Sequence, residues 1–169
     1  MERRAAAGDD LDVDEVHTDE WGCVWRKRQD GVFGQVIEHP LADWSRLDSY
    51  QLPSLPAATN EIIEQRRRSF DDHKQTYFTY GGGAWIWEQM QLLRGDAAIM
   101  MDLMDGRPEV GELADRLFDH ARRSFEPSLR AGCDGLNIGD DWGDQKQLRI
   151  SPALWRRHFK PRYEELFAY

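Results

Sequence analysis

Thr76-Tyr77-Phe78-Thr79-Tyr80-Gly81-Gly82-Gly83-Ala84-Trp85 is the stretch whose reading decides the fold. Residues 76–80 are all β-branched or aromatic, which predicts a short buried strand. Three glycines then punctuate the chain, and Ala84 to Leu93 carries helix-forming side chains. A strand running directly into a helix is one βα unit.

Working toward the C-terminus, a short helix is expected over Asp96 to Met104, broken by Asp105-Gly106-Arg107. Pro108 stands at a favourable first helical position, and Val110, Leu113, Ala114, Leu117, Phe118, Ala121, Phe125 and Leu129 recur at helical spacing. This long helix is expected to kink at Pro127 and end at Gly132. Gly135 to Ile138 reads as a second strand, and an acidic loop follows. Ser151-Pro152 supplies a cap and first-turn proline for a last helix, bent at Pro161, with Trp155, Phe159, Tyr163 and Leu166 on one face. Met90, Met100, Met101 and Met104, at near-helical spacing, are most simply core filling. Strand then helix, twice over, predicts a parallel α/β arrangement, in which ligands bind at the C-terminal edge of the strands.

Toward the N-terminus, Ile62, Ile63, Arg66 and Phe70 mark a surface helix from Asn60, with Glu61 and Glu64 where the helix dipole favours negative charge. A loop with Pro53 and Pro56 precedes it, and a helical turn fits Asp43 to Leu47. Trp21 to Arg26 and Val32 to Ile37 flank Gln29-Asp30-Gly31, the chemistry of a β-hairpin turn. Residues 1–20 are polar and without apolar period, a loose N-terminal arm by expectation; the folded domain spans 21–169.

With 40% hydrophobic residues, 169 residues suffice for one core. The net charge of -9 opposes a phosphate backbone, and the one basic run, Arg66-Arg67-Arg68, is flanked by Glu61, Glu64, Asp71 and Asp72, so nucleic acid is a poor partner. No window approaches the roughly 18 apolar residues of a membrane span, and the N-terminus has no secretory pattern. A cytoplasmic protein away from membranes is expected. Cys23 and Cys133 have no CxxC partner and read as free thiols; the five histidines show neither HExxH nor zinc-finger spacing, so no metal site is expected from this chain alone.

The candidate catalytic residues are Asp140 and Asp141, in Asn137-Ile138-Gly139-Asp140-Asp141-Trp142-Gly143-Asp144-Gln145 just beyond the second strand. Adjacent carboxylates can push their pKa values apart, leaving one protonated at neutral pH, or can bind cationic or N–H-rich groups such as pyrroles. The plainer reading is a solvated loop whose aspartates cap local amides. Trp142 and Gln145 are candidate substrate contacts on the same loop. Gly81, Gly82 and Gly83 would let a backbone approach a ligand, with Trp85 and Glu88 on the helix after them; the plainer reading is a tight turn and packed tryptophans.

The run from Gly135 to Gln145, with Ile150-Ser151-Pro152-Ala153-Leu154-Trp155 and Phe159-Lys160-Pro161-Arg162-Tyr163, resembles the middle of uroporphyrinogen decarboxylase family proteins. Asp19-Glu20-Trp21-Gly22, and His39-Pro40-Leu41 before Asp43-Trp44, are similar to its divergent, methyltransferase-like branch. The resemblance implies a (β/α)₈ barrel, here partial, because family members are about twice this length and only two or three parallel strands can be counted. It implies a tetrapyrrole or corrinoid-protein substrate. Met90 stands where the decarboxylases keep a tyrosine and Asp141 where they keep a serine, which favours methyl transfer. That branch uses zinc, whose His and Cys ligands would lie beyond Tyr169. This chain itself is then expected to hold no cofactor and to be inactive alone. Open strand edges would favour homodimers or association. The contrasting expectation is a non-catalytic barrel fragment or binding module.

Overall fold

The computed structural model describes residues 12–29, 32 and 34–169. Residues 1–11 of the expected arm, and Asp30 and Gly31 of the expected hairpin turn, lie outside these. The protein is mixed α/β, with six α-helices and two small sheets among the described residues and no closed barrel. It divides into two compact units, Met1–Pro53 with Gln89–Glu109, and Ser54–Glu88 with Val110–Tyr169.

The first unit contains a three-stranded antiparallel sheet, β1 (Val16–Thr18), β2 (Val24–Arg26) and β3 (Gln35–Glu38), in that order. The predicted hairpin is β2–β3; β1 corrects the expectation that the chain is loose through residue 20. Asp19 makes this extra strand: its Oδ1 accepts the amides of Trp21 and Cys23 at 2.9 and 2.8 Å, and its Oδ2 accepts Trp25 Nε1 at 2.7 Å. The carboxylate thus turns the chain so that β1 lies beside β2. Beyond β3, Asp43 caps a 3₁₀ turn over Trp44–Arg46.

The same unit holds the last turns of α2 (Ile86–Arg94) and α3 (Asp96–Asp105). Arg94 is their anchor. Its Nε bonds Asp102 Oδ2 at 2.7 Å, its guanidinium lies 4.8 Å over the Trp44 ring, and Nη1 donates to the carbonyls of Leu41 and Ala42. Trp44 Nε1 reaches the same Asp102 oxygen at 2.9 Å. Of the methionines assigned to the core, Met90 is fully buried, whereas Met101 and Met104 are exposed on α3, whose buried stripe is Ile99 and Leu103 instead.

The second unit contains α1 (Asn60–Asp71), β4 (Tyr80–Ala84), the first turn of α2, α4 (Pro108–Ala131) from Val110 onward, β5 (Gly135–Ile138), α5 (Pro152–His158) and α6 (Lys160–Ala168). Strands β4 and β5 pair in parallel, Tyr80 opposite Gly135 and Ala84 opposite Ile138. Asp134 sets the register: its Oδ2 accepts both the amide and the hydroxyl of Thr79, at 2.9 and 2.6 Å.

The strand expected over 76–80 is displaced. Residues 72–77 instead form turns whose amides return to Phe70 and His73 carbonyls, and the strand occupies the glycines. Packing against α4 explains this, because a Cβ on Gly81 would sit 2.2 Å from Ser128 Cβ, and one on Gly82, at φ +72, 2.3 Å from Phe125 Cδ1. The glycines let sheet and helix approach, which outweighs their poor strand propensity. The helix after them therefore starts at Ile86 rather than at Ala84. Helix α4 carries through Pro127 to Ala131 and ends at Gly132, φ +80. The expected bent last helix is two helices parted at Phe159, with Pro161 in the first turn of α6, where its missing N–H costs nothing. No helix among the described residues is long and apolar enough to cross a membrane.

Candidate functional site

The loop between β5 and α5 leaves the C-terminal end of the parallel pair and folds back on itself. Gly143 and Leu148 form an antiparallel bridge, Arg149 N reaches Trp142 O at 2.9 Å, and Asp144 Oδ1 accepts the amides of Lys146 and Gln147 at 2.7 and 2.8 Å. Asp144 is thus the turn-forming aspartate of a miniature hairpin. Those bonds hold its carboxyl below the usual range.

The two candidate catalytic aspartates have separated. Asp140 turns inward: Oδ1 accepts the Trp87 amide at 2.7 Å, Oδ2 accepts the Tyr163 hydroxyl, and the Glu88 amide is a further donor. It joins the loop, the first turn of α2 and α6. Burial raises its pKa despite these donors. Tyr163 is pushed up in turn, by burial and then by the carboxylate it faces. Asp141 is exposed, and its Oδ1 accepts the nearby Gly143 amide at 3.1 Å. Glu88 is half-buried, and burial, then Asp140 and Asp141, raise its pKa, with Arg149 opposing. Of the three, Glu88 combines a raised pKa with partial exposure, the properties of a carboxyl able to hold and release a proton.

Trp142 is wedged between rings. It stacks on the buried Trp87 at 5.1 Å and 13°, meets Phe159 edge-on at 4.7 Å, and lies 6.3 Å from Trp155 at 87°. Trp142, Leu148, Ile150 and Trp155 line a cavity of about 260 Å³. Trp85 is half-exposed, its ring against Gly83 and Gly139; a Cβ on Gly139 would sit 2.8 Å from its Nε1.

The structure therefore gathers Glu88, Asp140, Asp141 and Trp142 at the end of the parallel strands. Gly81 and Gly82 are occupied by α4, and Gln145 stands exposed at the hairpin tip. Sequence reading missed Tyr163, Leu148 and Ile150 as site residues; Tyr163 read only as one position on an apolar helix face, and no spacing rule links it to Asp140.

No family model, no curated protein and no solved structure matches the chain. Among the described residues no three His, Cys, Asp or Glu side chains gather as a metal would require. Cys23 is buried, bonded through Sγ to the Leu92 carbonyl at 3.4 Å, and its thiol pKa is pushed up to about 12, which disfavours the thiolate a metal takes.

Proposed function

We propose that this chain carries βα units of a (β/α)₈ barrel of the uroporphyrinogen decarboxylase family. Within a complete barrel it acts in the cytoplasm on a tetrapyrrole or corrinoid-linked substrate, methyl transfer being favoured over decarboxylation. The observation that carries the proposal is the trio Glu88, Asp140 and Asp141 beyond the C-terminal ends of a parallel strand pair, the edge at which such barrels bind substrates.

Each carboxyl has a separate role in this reading. Asp140, engaged by two amides and a phenol, positions the loop. Glu88 holds the proton that a developing pyrrole carbanion or a departing group would take up. Asp141 adds negative charge at the rim. A decarboxylase reading lacks two of its hydroxyls here, because Met90 is a buried thioether and Asp141 faces water. Among the described residues no group of His, Cys, Asp or Glu fits a zinc ion. The outer edges of β4 and β5, which pair with no other strand among the described residues, suit pairing with further strands, in the same barrel or in a second copy.

The test is binding by the purified chain, followed through tryptophan fluorescence, of a methylcorrinoid protein and of uroporphyrinogen, with product analysis in parallel. Saturable quenching by the corrinoid protein, weakened in Trp142→Leu, is the expected result. Decarboxylated porphyrinogen would overturn the preference for methyl transfer. Silence toward both ligands would overturn substrate binding by this chain and leave the non-catalytic barrel fragment or binding module standing.

A further inference from the structure

We infer that the cavity bounded by Trp142, Leu148, Ile150 and Trp155 is a binding site for a small, uncharged, planar ring. This deepens the reading above, on which its place beside the reacting groups rests; the ligand chemistry is argued from the cavity itself.

Four observations carry it. The walls are apolar and belong to two elements, the bridged hairpin of the loop and helix α5. Both indoles are braced by other rings: Trp142 stacks on Trp87, and Trp155 lies 6.2 Å from Tyr163 at 19°. Bracing means that little side-chain freedom is lost when a ligand enters. The indole planes stand at 87°, so an entering ring can meet one wall by offset stacking and the other edge-to-face, the two arrangements aromatic pairs prefer. Leu148, about half exposed, borders solvent, while Ile150 is buried, which gives the cavity an entrance and an interior.

Size and polarity then restrict the occupant. A volume of about 260 Å³ lies just under the roughly 300–1,000 Å³ of pockets for drug-sized ligands, so one or two fused rings fill it. A carboxylate placed among these side chains would lose its hydration with no donor to replace it. Acetate arms of a porphyrinogen therefore do not enter here. A neutral ring does, with its reactive substituent left outward toward the loop.

The experiment is calorimetric titration of the full chain with two probes of one shape, 2-naphthol, neutral at pH 7, and 2-naphthoate, an anion. The expected result is saturable binding of one naphthol per chain, with naphthoate at least about tenfold weaker. Leu148→Trp, which narrows the entrance from an exposed position, should weaken naphthol by about tenfold or more. Leu148→Glu tests the same wall by charge if the tryptophan variant loses its native circular dichroism. Equal affinity for both probes, no saturation, or unchanged binding in both variants would overturn the inference. Naphthol binding without response to corrinoid or porphyrinogen would leave this site standing and remove substrate binding by this chain; corrinoid binding without naphthol would do the reverse.

Discussion

Asp102, on α3, and Asp140, at the start of the loop after β5, are both partly buried, and both accept a hydrogen bond from an aromatic side chain, Trp44 in one case and Tyr163 in the other. Their remaining partners differ. Asp102 meets the guanidinium of Arg94, each side chain only 14% exposed. The named donors to Asp140 are neutral: two backbone amides and a phenol. The first arrangement closes a charge pair and fixes a corner. The second leaves a carboxyl whose protonation is contested between burial and donors while it holds the loop against α2 and α6.

The largest effect should come from breaking the closed pair. Arg94→Met leaves Asp102 without its cation and the Leu41 and Ala42 carbonyls without their donor, and should destabilise by about 3–5 kcal/mol in urea unfolding. Arg94→Lys should recover only part, because an ammonium cannot span the carboxylate and the carbonyls with one planar fork. Near-equal stability of Arg94→Met and the native chain would erase the distinction drawn between the two aspartates.

A smaller loss is expected at the other aspartate. Asp140→Ala removes an acceptor from the Trp87 amide and from the Tyr163 hydroxyl, at about 2–3 kcal/mol, and Tyr163→Phe removes one bond to Asp140, at about 1 kcal/mol. The double variant should fall short of their sum, since both remove one shared contact. Full additivity would show that the Tyr163 hydroxyl acts through its other partner, Trp142, instead.

How much of this was legible in the sequence depends on where the deciding forces act. Helix α4 and strand β5 follow from local pattern: Pro108, an apolar stripe, Gly132, then a four-residue strand. Strand β4 did not, because its position is set by how closely Ser128 and Phe125 approach Gly81 and Gly82 across the unit. The aromatic run 76–80 carried strand propensity, yet Tyr77, Phe78 and Tyr80 are exposed. Within the site, Asp140 and Asp141 were visible as a pair but not their division of labour. A one-residue step put one carboxyl under Tyr163 and the other in water, and only tertiary packing decides that.

The smallest effect is the most discriminating, because it asks whether burial or hydrogen bonding governs Asp140. Burial is the larger influence and raises its pKa above the ordinary 3.8. A folded-state pKa above the unfolded value means that the folded chain holds the proton more tightly. Its contribution to stability is then fully present below pH 3.8 and is lost as pH rises through the raised value. Glu88, also raised by burial and by its acidic neighbours, contributes with the same sign, so the two must be separated. Asp140→Asn does this, since the amide keeps the shape, cannot ionise, and leaves Glu88 in place. Stability of the native chain relative to Asp140→Asn, measured by urea unfolding at a series of pH values, should therefore decline from acid toward neutral. Part of any such decline will reflect relief of Glu88 by the lost neighbour, so a third curve for Glu88→Gln fixes that share. A difference that instead grows with pH would mean that the Trp87 and Glu88 amides and the Tyr163 hydroxyl outweigh desolvation. The ionised carboxylate, rather than the protonated acid, would then be the form that anchors the loop at α2.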